Sequence, residues 1–102
     1  MSIEEEFALA EKAEAEGEEL YGGQDGLYYH EFYLLPDKRV VEVSYYHTTD
    51  MHGAHRGNFL SVDDIQEMGG CLGTGLRLAL EKRGIAVWGY DNLNQQELAM
   101  RP

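Results

Sequence analysis

Four side chains able to bind a divalent ion, His47, Asp50, His52 and His55, crowd into nine residues. Imidazole and carboxylate suit zinc and related ions, but their spacing matches no defined ligand pattern. The polar, Gly-containing run from Thr48 to Asn58 reads more readily as a solvated loop, so no metal is expected. Cys71 could act as a thiolate nucleophile if a histidine base lay within hydrogen-bonding reach. A lone cysteine among Gly, Leu and Met reads instead as a small buried apolar residue, and with no second cysteine it forms no internal disulfide. In Gly69-Gly70-Cys71-Leu72-Gly73-Thr74-Gly75, glycines ahead of a helix could present backbone N–H groups to a phosphate. A phosphate-loop lysine is missing, and no strand immediately precedes the run as a dinucleotide fingerprint requires. Close helix packing is the competing explanation of these glycines.

Charge carries more information. The chain has 102 residues and a formal net charge of −11, and residues 1–26 hold nine carboxylates against the single Lys12. Nucleic-acid binding needs Lys and Arg to displace counterions from phosphate, and no basic stripe is present. The chain should instead be drawn to basic surfaces. No apolar run is long enough to span a bilayer. The Met-Ser-Ile-Glu-Glu-Glu start is the opposite of a basic leader, and a cytoplasmic location is expected.

These groups must be positioned by a small number of elements. Ser2 and Glu5 form a capping box for a first helix that the Ala, Glu and Leu content continues to about Tyr21. Ile3, Phe7, Ala10, Ala13 and Leu20 make its apolar face, and Gly22-Gly23 end it. Two aromatic and β-branched runs, Leu27 to Leu35 and Val40 to His47, flank Pro36-Asp37-Lys38-Arg39 and predict a hairpin. Alternation puts Tyr28, His30, Phe32 and Leu34, with Val41, Val43 and Tyr45, toward the core. Tyr29, Glu31, Tyr33, Glu42, Ser44 and Tyr46 then face outward. Phe59-Leu60 could add a short strand, and Ser61 looks like another helix cap. Residues 62–83 have helical spacing at Ile65, Met68, Leu72, Leu76 and Leu80, as one helix or as two broken near Gly69-Gly70. Gly84 stops it, a strand is expected over 85–90, and a last helix over 94–100. The expectation is one α+β domain over 1–102, in the order α-β-β-(β)-α-β-α. Its small, mainly antiparallel sheet combines hairpin 27–47 with strand 85–90 and is backed by the helix of 62–83.

Two resemblances bear on function. Gly73-Thr74-Gly75, followed by Leu76, Leu80, Gly84 and Ile85, resembles the acetyl-coenzyme-A loop, helix and strand of acetyltransferases related to the histone acetylases. It spans about 20 residues, with Gly70 where that family's motif usually opens on a basic residue or Gln, and would imply a small enzyme. In size and charge the whole chain resembles the small acidic proteins with which phages and mobile elements block bacterial defence, of the anti-CRISPR and DNA-mimic anti-restriction kinds. That class-level resemblance implies a stoichiometric, non-enzymatic inhibitor without a cofactor, occupying a basic nucleic-acid-binding site. The residues expected to meet the partner are Glu11, Glu14, Glu18 and Glu19, with Tyr29, Glu31, Tyr33, Glu42 and Tyr46 on the hairpin. The alternative is a small enzyme or ligand-binding domain using the glycine run or the histidine loop.

Overall fold

The computed structural model describes residues 1–46, 54–85 and 87, and the chain forms two compact units, Met1–Ser61 and Val62–Pro102. The fold class is α+β, and within the first unit helix α1 (Ile3–Glu16) packs on an antiparallel sheet. The sheet's strands are β1 (Glu18–Asp25), β2 (Tyr28–Leu34), β3 (Val40–Tyr46) and β4 (Arg56–Leu60), in the spatial order β1-β2-β3-β4. Every neighbour in the sheet is therefore a neighbour in sequence.

Helix α1 begins as expected. Ser2 Oγ accepts from the Glu5 backbone N–H at 3.2 Å, and the Glu5 carboxylate accepts from the Ser2 backbone N–H at 2.7 Å. Those bonds satisfy two amide donors that a helix start leaves free, and they hold the Glu5 carboxyl below the usual carboxylate range. The helix stops earlier than Tyr21. Gly17 is its C-cap in an extended conformation, with φ −87° and ψ 164°, and Glu18 to Asp25 pair with β2. The sequence hid this strand because Glu, Gly, Gln and Asp are weak strand formers, so it is β2 that induces it. Leu20 falls at a register shift between Glu19 and Tyr21, a bulge that takes it out of the expected helical stripe. The buried face of α1 is Leu9, Ala10 and Ala13, while Ile3 and Phe7, expected on it, are exposed.

The hairpin forms where the sequence placed it. Lys38 N–H donates to the Leu35 carbonyl and Leu35 N–H to the Arg39 carbonyl, both at 2.9 Å. This three-residue turn puts Lys38 at φ 76°, the left-handed position usually given to glycine. Asp37 accepts from the Arg39 backbone and side chain, which lowers its carboxyl affinity for protons.

The assignment of hairpin faces needs correction. Tyr33 pairs with Val41, Glu31 with Val43 and Tyr29 with Tyr45, so residues of like parity share a face on the two strands. Expecting even-numbered residues of β2 to lie with odd-numbered residues of β3 is incompatible with that register. The face covered by α1 is odd-numbered on both, where Tyr33, Leu35, Val41 and Val43 form a core with Leu9, Ala10 and Ala13, and Tyr45 packs against it. Tyr29, Glu31 and Tyr33 thus point to the helix side. Tyr28, expected inside, is 51 % exposed, while Phe32 and Leu34 of the same parity are buried.

Close approach of α1 to the sheet depends on small residues. A Cβ at Gly57 of β4 would lie 2.7 Å from the Ala10 backbone nitrogen and 3.0 Å from the Leu9 carbonyl carbon. Only a glycine fits beneath the helix without moving it.

In the second unit, residues 62–83 form two helices, α2 (Val62–Glu67) and α3 (Gly70–Lys82). Arg77 Nη1 donates to the carbonyls of Ile65 and Met68 at 2.8 and 2.7 Å, tying the end of α2 to α3 while burial lowers the guanidinium's proton affinity. A Cβ at Gly73 would meet the Met68 carbonyl oxygen at 2.0 Å. The helix ends as predicted at Gly84, φ 75°, with Gly84 and Ile85 N–H groups closing on the Glu81 and Leu80 carbonyls. Most of the strand expected at 85–90, and all of the helix expected at 94–100, lie outside the described residues.

Candidate functional site

The acidic residues of the N-terminal third are spread over two elements. Glu11 and Glu14 lie on α1, whereas Glu18 and Glu19 lie on edge strand β1 and not on the helix. Beside α1 runs a shallow groove lined by Glu4, Glu11 and Glu14, by Phe7 and Ala8, and by His55 just before β4. The sequence places these helix residues at intervals of three and four, one stripe along a helix of 3.6 residues per turn. Lys12 does not neutralise the stripe. It lies about a quarter-turn away from Glu11, beside Glu16 and Pro36.

The groove is anchored at one end by a contact the sequence did not reveal. His55 Nδ1 lies 2.5 Å from Glu14 Oε2, and its ring stacks on Tyr45 with centroids 4.0 Å apart and planes inclined by 10°. His55 therefore links α1 to β3 and β4. Grouping it with His47 and His52 obscured this, because its carboxylate partner is 41 residues away. His47, Asp50 and His52 lie outside the described residues, and no group of three metal-ligating side chains occurs among the described ones.

Behind the groove, on the same face of the sheet, Glu31 accepts hydrogen bonds from the hydroxyls of Tyr33 and Tyr45, each 2.8 Å long. Tyr29 stacks on Tyr45 at 5.6 Å. Burial raises the pKa of both Tyr33 and Tyr45, and the bond to Glu31 and the charge of that carboxylate raise them further. Glu14 contributes to both shifts and Glu19 to that of Tyr33, so carboxylates of α1 and β1 act on these hydroxyls as well. Tyr33 is buried, and Tyr29 and Glu31 are half-buried, on the helix side of the sheet, a correction to the outward face expected for them.

Glu42 and Tyr46 occupy the opposite face. His30 Nδ1 sits 2.7 Å from Glu42 Oε2, and Tyr46 stacks on Tyr28 with centroids 5.3 Å apart. The nine expected contact residues therefore divide between two faces and the edge strand, and do not form one patch.

The glycine run has a packing explanation. It opens α3 directly after α2, with no strand before it, and the space above Gly73 is filled by Met68. Cys71 is exposed in the first turn of α3, which corrects the expectation of a buried thiol. No helix among the described residues is long and apolar enough to cross a membrane.

The chain matches no protein-family model, no curated protein and no solved structure.

Proposed function

We propose that this is a non-enzymatic binding protein that engages a cationic protein surface through the acidic side of α1. The observation that carries this reading is the groove of Glu4, Glu11 and Glu14 around Phe7, which no lysine or arginine among the described residues neutralises by an ion pair. A negative rim around exposed apolar surface combines long-range attraction for a basic partner with area to bury on contact. The finer form of the proposal is a stoichiometric inhibitor covering a basic nucleic-acid-binding site of a defence complex, as anti-CRISPR and DNA-mimic proteins do. Its support is that the exposed charge has the sign of a phosphate backbone and is concentrated on one helix and the strand after it.

The test is capture of partners from a bacterial lysate at low and high salt, followed by a challenge with short duplex DNA. Salt-sensitive capture that DNA reverses is expected. Capture that DNA leaves intact overturns the nucleic-acid-site form, and failure to retain any protein at low salt overturns the binding reading itself.

A further inference from the structure

The groove on α1 has features that select among cations, and we infer that it is a socket for an arginine side chain of the partner. The inference rests on the cationic-surface reading and adds the identity of the anchoring residue. It is lined by Phe7, 38 % exposed, and Ala8, by the carboxylates Glu4, Glu11 and Glu14, and by His55. Glu4 and Glu11 make no hydrogen bond or ion pair among the described residues, so their oxygens are available. Glu14 is held by His55, which fixes one wall.

An aromatic ring within a carboxylate rim matches both parts of arginine's chemistry. The planar guanidinium stacks on aromatic faces and forks onto carboxylates, while its methylene stem covers apolar surface. Lysine offers a hydrated point charge that uses the rim but gains less from the ring. The protein itself employs the pairing elsewhere: Arg39 lies over the Phe59 ring, 4.2 Å from its centroid. At Phe7 the cation seen among the described residues is Arg56, at 6.0 Å, the outer limit for such an attraction, so a cation from outside could approach the ring more closely. Charge complementarity names the occupant as an arginine-bearing protein segment; lysine-rich surfaces and purely apolar helices lack one of the two matches.

The experiment compares tetra-arginine and tetra-lysine peptides as probes of the full chain, by titration calorimetry at low salt and by amide chemical-shift mapping. Tetra-arginine should bind more tightly by at least about threefold, with the largest shifts at residues 4–14. Phe7→Leu should lower arginine affinity by about two- to fivefold, as expected for loss of an exposed cation–π contact, and leave lysine affinity unchanged. Glu4→Gln with Glu11→Gln, at two exposed positions that do not contribute to the core, should weaken both peptides. Equal affinity for the two peptides, insensitivity to Phe7→Leu, or shifts centred on Glu18, Glu19 and Asp25 would overturn the socket while leaving a diffuse acidic binder standing. Absence of binding by either peptide would overturn both.

Discussion

Replacing Gly57 by alanine tests whether α1 is seated on the sheet as described. In a strand, alanine is ordinarily the better residue, because it narrows the unfolded ensemble and contributes about 0.4–1 kcal/mol of stability where the backbone can accept it. Here the added methyl would stand 2.7 Å from the Ala10 nitrogen and 3.1 Å from the Ala10 Cα. Ordinary contact begins at 3.4 Å, so α1 must lift by roughly 0.7 Å, a gap large enough to forfeit a quarter to a half of the dispersion energy of the contacts it opens. The atoms in the way are main chain and cannot rotate aside. Overpacking of this kind costs about 1–3 kcal/mol, and subtracting the entropic gain leaves a net loss of about 1.3 kcal/mol. At about 4–8 °C per kcal/mol for a domain near this size, Tm should fall by about 5–10 °C in a circular dichroism melt. Ala10→Gly should not rescue it, since the clash is with backbone. An unchanged or raised Tm in Gly57→Ala would refute the proposed seating, and with it the geometry of the groove.

Three further outcomes follow from particular residues. Lys38→Gly should stabilise the hairpin by about 1 kcal/mol, the scale of the left-handed penalty for a side chain, read as a higher midpoint in urea; a lower midpoint would contradict the turn geometry. Tyr33 and Tyr45 have folded pKa values raised above those of the unfolded chain, so the fold binds more protons than the unfolded state above about pH 10. Stability from these groups is therefore complete below that pH and declines as pH rises toward the folded values. An ultraviolet titration should show two of the seven tyrosines ionising last, and Tyr45→Phe should remove one of them; uniform ionisation would count against the Glu31 cluster. Gly73→Ala should destabilise the α2–α3 pair despite alanine's better helix propensity, because the methyl meets the Met68 carbonyl at 2.0 Å. A rise in helix content would show that the two helices are farther apart.

What could be read from the sequence was local. Ser2 and Glu5 are three residues apart and answer each other directly. The hairpin is announced by β-branched and aromatic runs around Pro36-Asp37, and the end of α3 by Gly84. Strand β1 could not be read this way, because Glu18-Glu19-Leu20-Tyr21 continues a helical pattern and becomes a strand only through its pairing with β2. Alternation also gives two faces for each strand without saying which face of one joins which face of the other; that requires the register across the turn. This is why the sequence alone places Tyr29, Glu31 and Tyr33 outward. The charge imbalance marked the acidic side of α1, but the groove needed His55 and Phe7, whose placement depends on β4 reaching back to the helix.

The order β1-β2-β3-β4 also governs how the chain acquires its structure in time. Each hairpin joins segments close in sequence, so the sheet can form by short loop closures. The exception is α1, made first yet completed last, because its floor includes Gly57. During synthesis at about 5–20 residues per second, the stretch from Ala10 to Gly57 takes roughly 2–9 s to appear. For that interval the Leu9, Ala10 and Ala13 face has no complete floor beneath it. The glutamates that line the groove in the finished protein lie on another side of α1 from this uncovered apolar stripe, and the mutual repulsion of their charges would keep nascent chains apart until β4 arrives.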